Sequence, residues 1–268
     1  MAQTTPILLL GAGRLGGALL VGWALTGAFA PADLIIRDPN PGDVAQAAAA
    51  AGAALNPPDD HYARARIVLL AVKPQVWREA SASLAPLLAP DAAIVSVAAG
   101  VRAADISEAF GGLPTARVMP ITAVAVAKGA GGIYAPDPRA AAAAHALFDP
   151  VASMVEVADE GLMDAVTAVC GSAPAYLYAF TEALEAAGES LGLDPDAART
   201  LARATLAGAA ALMTSTGEEP SELRRQVTSP GGTTEAALKV LMGEGGLGPL
   251  MRAATQAAAD RSRELSKS

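Results

Sequence analysis

The stretch Val227-Thr228-Ser229-Pro230-Gly231-Gly232-Thr233-Thr234 combines residue types and spacing suited to chemistry. It runs into a helical pattern from Glu235 to Met242, so the two glycines precede a helix start and expose successive backbone N–H groups. Hydroxyls of Ser229, Thr233 and Thr234 add donors, and the whole set suits an anion the size of a carboxylate. A helix cap by Thr233 is the competing reading; it needs one hydroxyl and neither glycine. A second turn, Gly171-Ser172-Ala173-Pro174-Ala175-Tyr176, opens another helical run, and proline just inside a helix start accounts for part of it without a ligand.

Near the other end of the chain, Leu8-Leu9-Leu10-Gly11-Ala12-Gly13-Arg14-Leu15-Gly16 turns an apolar strand run into a helical pattern that continues to Thr26. Gly11 and Gly13 permit a tight turn and close approach to a pyrophosphate, Gly16 lets helix pack on strand, and the helix-start N–H groups face the anion. Such turns also occur with no ligand, so the motif alone leaves a dinucleotide and a mere tight turn both open. Residues 33 to 38 favour the dinucleotide, because they read as a second strand ending in Asp38, where this arrangement reads the adenosine ribose. A carboxylate there accepts from a ribose 2′-hydroxyl and repels a 2′-phosphate, and Arg37 could counter it.

The residues that are missing narrow the chemistry. Oxidising an alcohol calls for a base such as His, Lys, or Tyr with Lys four residues on. The lysines are Lys73, Lys128, Lys239 and Lys267, and no tyrosine has lysine four positions later. Reducing a cyclic imine asks for less: the nitrogen arrives protonated, its charge activates the carbon toward hydride, and a hydroxyl suffices to orient it.

These residues need a scaffold. From residue 6 to about 155, short apolar runs at 7–10, 34–37, 67–72, 93–97 and 116–119 alternate with Ala-rich helical stretches, which predicts a doubly wound parallel sheet. Loops follow three of these strands: Lys73-Pro74, Ala98-Ala99-Gly100 and Pro120-Ile121-Thr122 lie where such a sheet lines its ligand crevice. Beyond residue 158 the strand pattern stops, and helical stretches at 159–170, 175–191, 195–214 and 247–266 predict an all-helical second domain. The domains are therefore expected at 1–157 and 158–268. Alanine on more than one helix face buries poorly alone, so helices of two subunits are expected to pack together, with the Ala-rich composition of the whole chain as the competing explanation.

With 268 residues, 52% of them apolar, the chain is globular and has room for a full core. A net charge of -8 argues against nucleic-acid or anionic-membrane partners and for a small molecule. One cysteine, Cys170, cannot form an internal disulfide, and with only His61 and His145 an ordinary zinc site lacks ligands; no metal and a reducing cytoplasm are expected. Neither a secretory leader nor a membrane-spanning run is evident.

Taken together, the chain resembles the pyrroline-5-carboxylate reductase family. The likeness rests on Gly11-Ala-Gly-Arg-Leu15, Ala71-Val-Lys-Pro-Gln75, Ser96-Val-Ala-Ala-Gly100, Arg117-Val-Met-Pro120, Gly171-Ser-Ala-Pro-Ala-Tyr176 and, most specifically, Val227-Thr-Ser-Pro-Gly-Gly-Thr-Thr234. It implies a Rossmann-type sheet followed by an all-helical dimerisation domain, a homodimer often assembled into a ring of dimers, and hydride transfer from a nicotinamide to an imine carbon in proline biosynthesis. By that likeness Ser229, Gly231, Gly232, Thr233 and Thr234 hold the carboxylate of a small imine, and Thr234 also bonds the ring nitrogen as the catalytic residue. Gly11, Ala12, Gly13, Arg14, Leu15, Gly16, Arg37, Asp38, Ala71, Val72, Lys73, Pro74, Ala98, Ala99, Met119 and Pro120 border the cofactor, NADP(H) or NAD(H). The family commonly uses NADPH; Asp38 is expected to narrow the preference toward NADH.

The chain departs from the pattern in the crevice. Where the family reads Met-Pro-Asn-Thr-Pro, it has Met119-Pro120-Ile121-Thr122-Ala123, and Ala173 stands where glycine is frequent. Ile121, expected on the substrate side, replaces an amide with a branched apolar group. Two alternatives accompany the proline-forming reductase: a reductase for less polar imines, and a non-catalytic dinucleotide-binding redox sensor, against which the complete Ser229–Thr234 donor set argues.

Overall fold

The computed structural model describes residues 4–266, and the chain separates into two compact units: one runs to Gly171 and resumes at Ala258, the other is Ser172–Ala257.

The first unit is built on an eight-stranded sheet: β1 (Ile7–Leu10), β2 (Leu34–Arg37), β3 (Ala54–Leu55), β4 (Ile67–Leu70), β5 (Ala93–Ser96), β6 (Thr115–Pro120), β7 (Gly129–Tyr134) and β8 (Ala152–Glu156), in the order β3-β2-β1-β4-β5-β6-β7-β8. β1 lies between β2 and β4, with Leu10 level with both Arg37 and Leu70, so the order reverses at the end of β1. A parallel α/β sheet opens its ligand crevice at such a reversal.

Pleating sends neighbouring side chains to opposite faces. Ile7 and Leu9 join an apolar cluster with Leu19, Trp23 and Phe148. Leu8 and Leu10 join another with Tyr62, Trp77 and Ile106. Helices α1 (Arg14–Thr26) and α5 (Pro138–Phe148) supply the first cluster; α3 (Trp77–Leu84) and α4 (Ala103–Ala109) supply the second. Helix α2 (Asp43–Ala50) follows β2.

The sheet is not wholly parallel. β7 runs antiparallel to β6, and the link between them, residues 121–128, is shorter than the dozen or more residues a parallel crossover requires. Close approach is enforced on β7 by glycine: a Cβ at Gly131 would lie 2.7 Å from the Met119 carbonyl oxygen, and one at Gly132 2.7 Å from Val166. Val166 ends the short helix α6 (Met163–Val166), which continues as a π turn through Gly171.

The second unit contains α7 (Ala173–Ser190), α8 (Pro195–Thr216), α9 (Pro220–Gln226), α10 (Thr233–Leu241) and the start of α11 (Leu247–Leu265). Asp194 caps α8 by accepting from the Asp196 and Ala197 N–H groups at 3.1 Å, with Pro195 at the first helical position. α7 and α8 pack together where Gly188 meets Ala198. The last turns of α11 belong to the first unit, where the Ser262 hydroxyl donates to Asp164 and Leu265 covers the backbone of Gly100. Among the described residues no helix is long and apolar enough to cross a membrane.

Candidate functional site

β1 ends in a loop that glycine alone permits. Gly11 has φ +93°, and its N–H donates to the Arg37 carbonyl at 2.9 Å. A Cβ at Gly16 would fall 2.2 Å from the Gly11 carbonyl oxygen, so α1 can lie this close to the loop only with glycine there. Gly13 is the N-cap of α1, with no side-chain cap and nothing within 4 Å of where its Cβ would be. Uncapped N–H groups and open space at a helix start fit the pyrophosphate of a dinucleotide.

A cavity of about 960 Å³ spreads from this loop and is lined by Gly11, Gly13, Arg14 and Leu15, by Arg37 to Asn40 after β2, by Ala71 to Lys73 after β4, and by α3. Asn56, Asp59 and Tyr62 complete one end. Its size suits a cofactor.

Asp38 has a second task that its position in sequence does not show. Its Oδ2 accepts from the Ala12 N–H at 2.7 Å and its Oδ1 from the Asn40 N–H at 2.8 Å, so the carboxylate ties the glycine loop to the loop after β2. Asn56 braces the same point: its amide accepts from the Asp38 N–H at 2.9 Å and donates to the Asp38 carbonyl at 2.8 Å. Arg37 forms no ion pair with Asp38. Its guanidinium lies 5.2 Å from the centroid of the Tyr62 ring, and Nη1 donates to the Ser83 carbonyl at 3.5 Å. Burial pushes the Tyr62 hydroxyl pKa up, with Arg37 opposing and Asp59 adding to the rise.

The remaining residues expected at the cofactor lie around this cavity's loops without lining it. Ala12 and Gly16 shape the glycine turn. Pro74 opens a single 3-10 turn, Ala98 is buried with its N–H on Ser96 Oγ at 3.2 Å, and Ala99 is exposed. Met119 and Pro120 end β6, with Met119 packed on Gly171. Ile121 is half-buried, and its N–H donates to the Ala130 carbonyl at 3.1 Å.

In the second unit the 229–234 loop leads into α10. The N-cap is Gly232 with no side-chain cap, so Thr233 is not the capping residue. Ser229, Thr233 and Thr234 hydroxyls make no hydrogen bond among the described residues, whereas Thr181, Thr214, Thr216, Thr228 and Thr255 each donate to a carbonyl of their own helix. Two of the donors counted from sequence are already engaged. Gly231, at φ +72°, donates its N–H to Glu235 Oε2 at 2.7 Å, and the Gly232 N–H donates to the Ser229 carbonyl at 3.0 Å. The loop therefore already holds one carboxylate, its own. Glu235 was legible as the acidic residue that reaches back from a helix's first turn; Asn56 and Tyr62 carry no comparable signal.

Burial pushes the Cys170 thiol up, which disfavours thiolate chemistry. Among the described residues no cluster of His, Cys, Asp and Glu could hold a metal ion.

Comparison with known proteins places both regions. Residues 160–265 match a family model described as pyrroline-5-carboxylate reductase dimerisation, and residues 6–100 match one described as NADP oxidoreductase coenzyme F420-dependent. A pyrroline-5-carboxylate reductase of Pseudomonas aeruginosa is 39% identical, covering 99% of this chain and 98% of its own length. One from Pisum sativum is 36% identical over 96% of this chain and 94% of its own. A solved pyrroline-5-carboxylate reductase from Coxiella burnetii superposes with a TM-score of 0.91 at 32% identity, covering 99% of this chain and 100% of that one. The Plasmodium falciparum pyrroline carboxylate reductase solved with NADP bound shares the fold, at a TM-score of 0.82 and 22% identity over 98% of each chain.

Proposed function

The chain belongs to the pyrroline-5-carboxylate reductase family, and from that premise we propose how its residues divide the work of reducing pyrroline-5-carboxylate to proline. The reaction is hydride transfer from NADPH or NADH to the imine carbon, a proton remaining on nitrogen. A bound reduced nicotinamide supplies the hydride. The chain's own residues do the rest. The uncapped start of α1 and the Gly11–Gly16 turn hold the pyrophosphate, and Asp38, through Ala12, keeps that turn in place. Ser229, Thr233 and the Gly231–Gly232 turn receive the substrate carboxylate at the start of α10, where it replaces Glu235 on the Gly231 N–H. Thr234 places its hydroxyl on the ring nitrogen and fixes which face of the imine meets the hydride.

The observation that carries this division is that the Ser229, Thr233 and Thr234 hydroxyls, three within six residues, make no hydrogen bond among the described residues and lie beside a helix start with no side-chain cap. The protein acts as a homodimer through α7 and α8, assembles into a ring of dimers, and works in the cytoplasm. The matched dimerisation model and the exposed apolar residues of these helices support the dimer. Consumption of NADPH and NADH with pyrroline-5-carboxylate, followed by absorbance, tests the reading. Proline formation is expected with both, and absence of turnover with either overturns it.

A further inference from the structure

Arg37 ends β2 inside the cavity of the glycine turn, and among the described residues it pairs with no carboxylate, although the chain carries a net charge of -8. Asp38, its neighbour, spends both oxygens on the backbone N–H groups of Ala12 and Asn40. Tyr62 is only 3% exposed and belongs to the apolar cluster under the sheet, so its ring is fixed. The guanidinium lies over that ring at 5.2 Å and is held at its edge by the Ser83 carbonyl, 3.5 Å from Nη1. A guanidinium over a ring, with one nitrogen on a carbonyl and no carboxylate partner among the described residues, keeps the rest of its surface for a ligand. Tyr62, Ser83, Val76 and Ala80 line the same cavity as Arg37. Apolar side chains beside a flat cation suit a flat, electron-rich ring, which guanidinium binds by stacking and by cation–π attraction.

We infer that Arg37, seated over Tyr62, is the platform for the adenine ring of the cofactor and is not the partner of a 2′-phosphate. This assignment rests on the dinucleotide reading of the cavity. It makes Arg37 an affinity determinant common to NADH and NADPH.

Titration calorimetry on the full chain with NADH, NADPH and reduced nicotinamide mononucleotide, which lacks adenine, separates the roles without relying on turnover. Arg37→Met removes the plane and the charge; Arg37→Lys keeps the charge and loses the plane. Both variants are expected to weaken NADH and NADPH alike, by about tenfold, and to leave the mononucleotide unchanged. Arg37→Lys also guards against a folding defect, since it retains a long cationic side chain and its thermal melt can be matched to the parent. Selective loss of NADPH in Arg37→Met, with rescue in Arg37→Lys, overturns the platform in favour of a phosphate partner. Unchanged affinities in both variants overturn it while leaving the cofactor site standing. Failure of the parent protein to bind any of the three overturns the dinucleotide reading, and the platform with it.

Discussion

In the first unit, Ile7, Leu8, Leu9, Val68, Leu69 and Leu70 are at most 1% exposed, divided between two apolar clusters. In the second, Ala198 and Ala202 are buried, while Leu177, Phe180, Leu201 and Leu212 stand 47–55% exposed. A side chain such as leucine gains about 1.5 to 3 kcal/mol from full burial, a gain the first unit collects within one chain. The second unit must collect it from another surface. Its order is thus tied to association, whereas the cofactor unit holds itself together.

The sharpest way to break this contrast is a charge on the exposed face of α7. Phe180→Asp is expected to weaken self-association by about 2 to 4 kcal/mol, leaving NADH affinity intact. Sedimentation at micromolar concentration should show dissociation; full assembly of the variant would place the interface elsewhere.

Next comes the chemical share of the second unit. Thr234→Val should fold and associate normally and lose about 1.5 to 3 kcal/mol of transition-state stabilisation, seen in kcat. A parent-like turnover would leave that unit with the interface alone.

A smaller effect tests whether the first unit selects substrate as well as cofactor. Ile121→Asn is expected to raise kcat/KM on pyrroline-5-carboxylate relative to an imine lacking the carboxylate by about 1 kcal/mol, or about fivefold. An unchanged ratio would make Ile121 a packing residue.

The smallest effect concerns the first unit's own stability. His145 meets Asp149 through Nδ1 and Glu156 through Nε2, both at 2.9 Å, an arrangement in which the protonated ring donates to both carboxylates. The hydrogen bond it donates to Asp149 is the main cause of a raised pKa, with burial opposing and the bond donated to Glu156 adding to the rise. A pKa raised by folding contributes stability that is complete below the unfolded value, about 6.5, and is lost as pH climbs through the folded value. His145→Gln should therefore lower Tm at pH 6, on the scale of about 0.5 kcal/mol for a pair this open to solvent, and the gap should close at alkaline pH. A gap that widens with pH would contradict this.

β1, β2, β4, β5 and β6 were legible because strands buried on both faces must be apolar throughout, and Ile67 to Leu70 could be little else, whereas β3 is only two residues long. β7 escaped notice because Gly129, Gly131 and Gly132 remove the side-chain pattern that announces a strand; close neighbours demand them, Val124 and Ala152 at Gly129, Met119 at Gly131 and Val166 at Gly132. α9, a seven-residue polar helix, has no apolar stripe to read. At the site, the glycine turn and the Ser229–Thr234 loop were visible because their function is written in consecutive residues. The hold of Asp38 on Ala12 joins positions 26 apart, and the seat of Arg37 on Tyr62 depends on how the loop before β4 folds. Neither leaves a local pattern.

The last turns of α11 belong to the first unit, although the whole second unit lies between them and Gly171 in sequence. The helical unit is thus an insertion, and a nascent chain can lay down every strand of the sheet long before it makes the segment that covers Gly100 and bonds Asp164. Completion of the cofactor unit waits for the last turns of α11. A chain cut within α10 holds every strand of the sheet and the glycine turn, yet lacks the segment that lies against Gly100 and bonds Asp164.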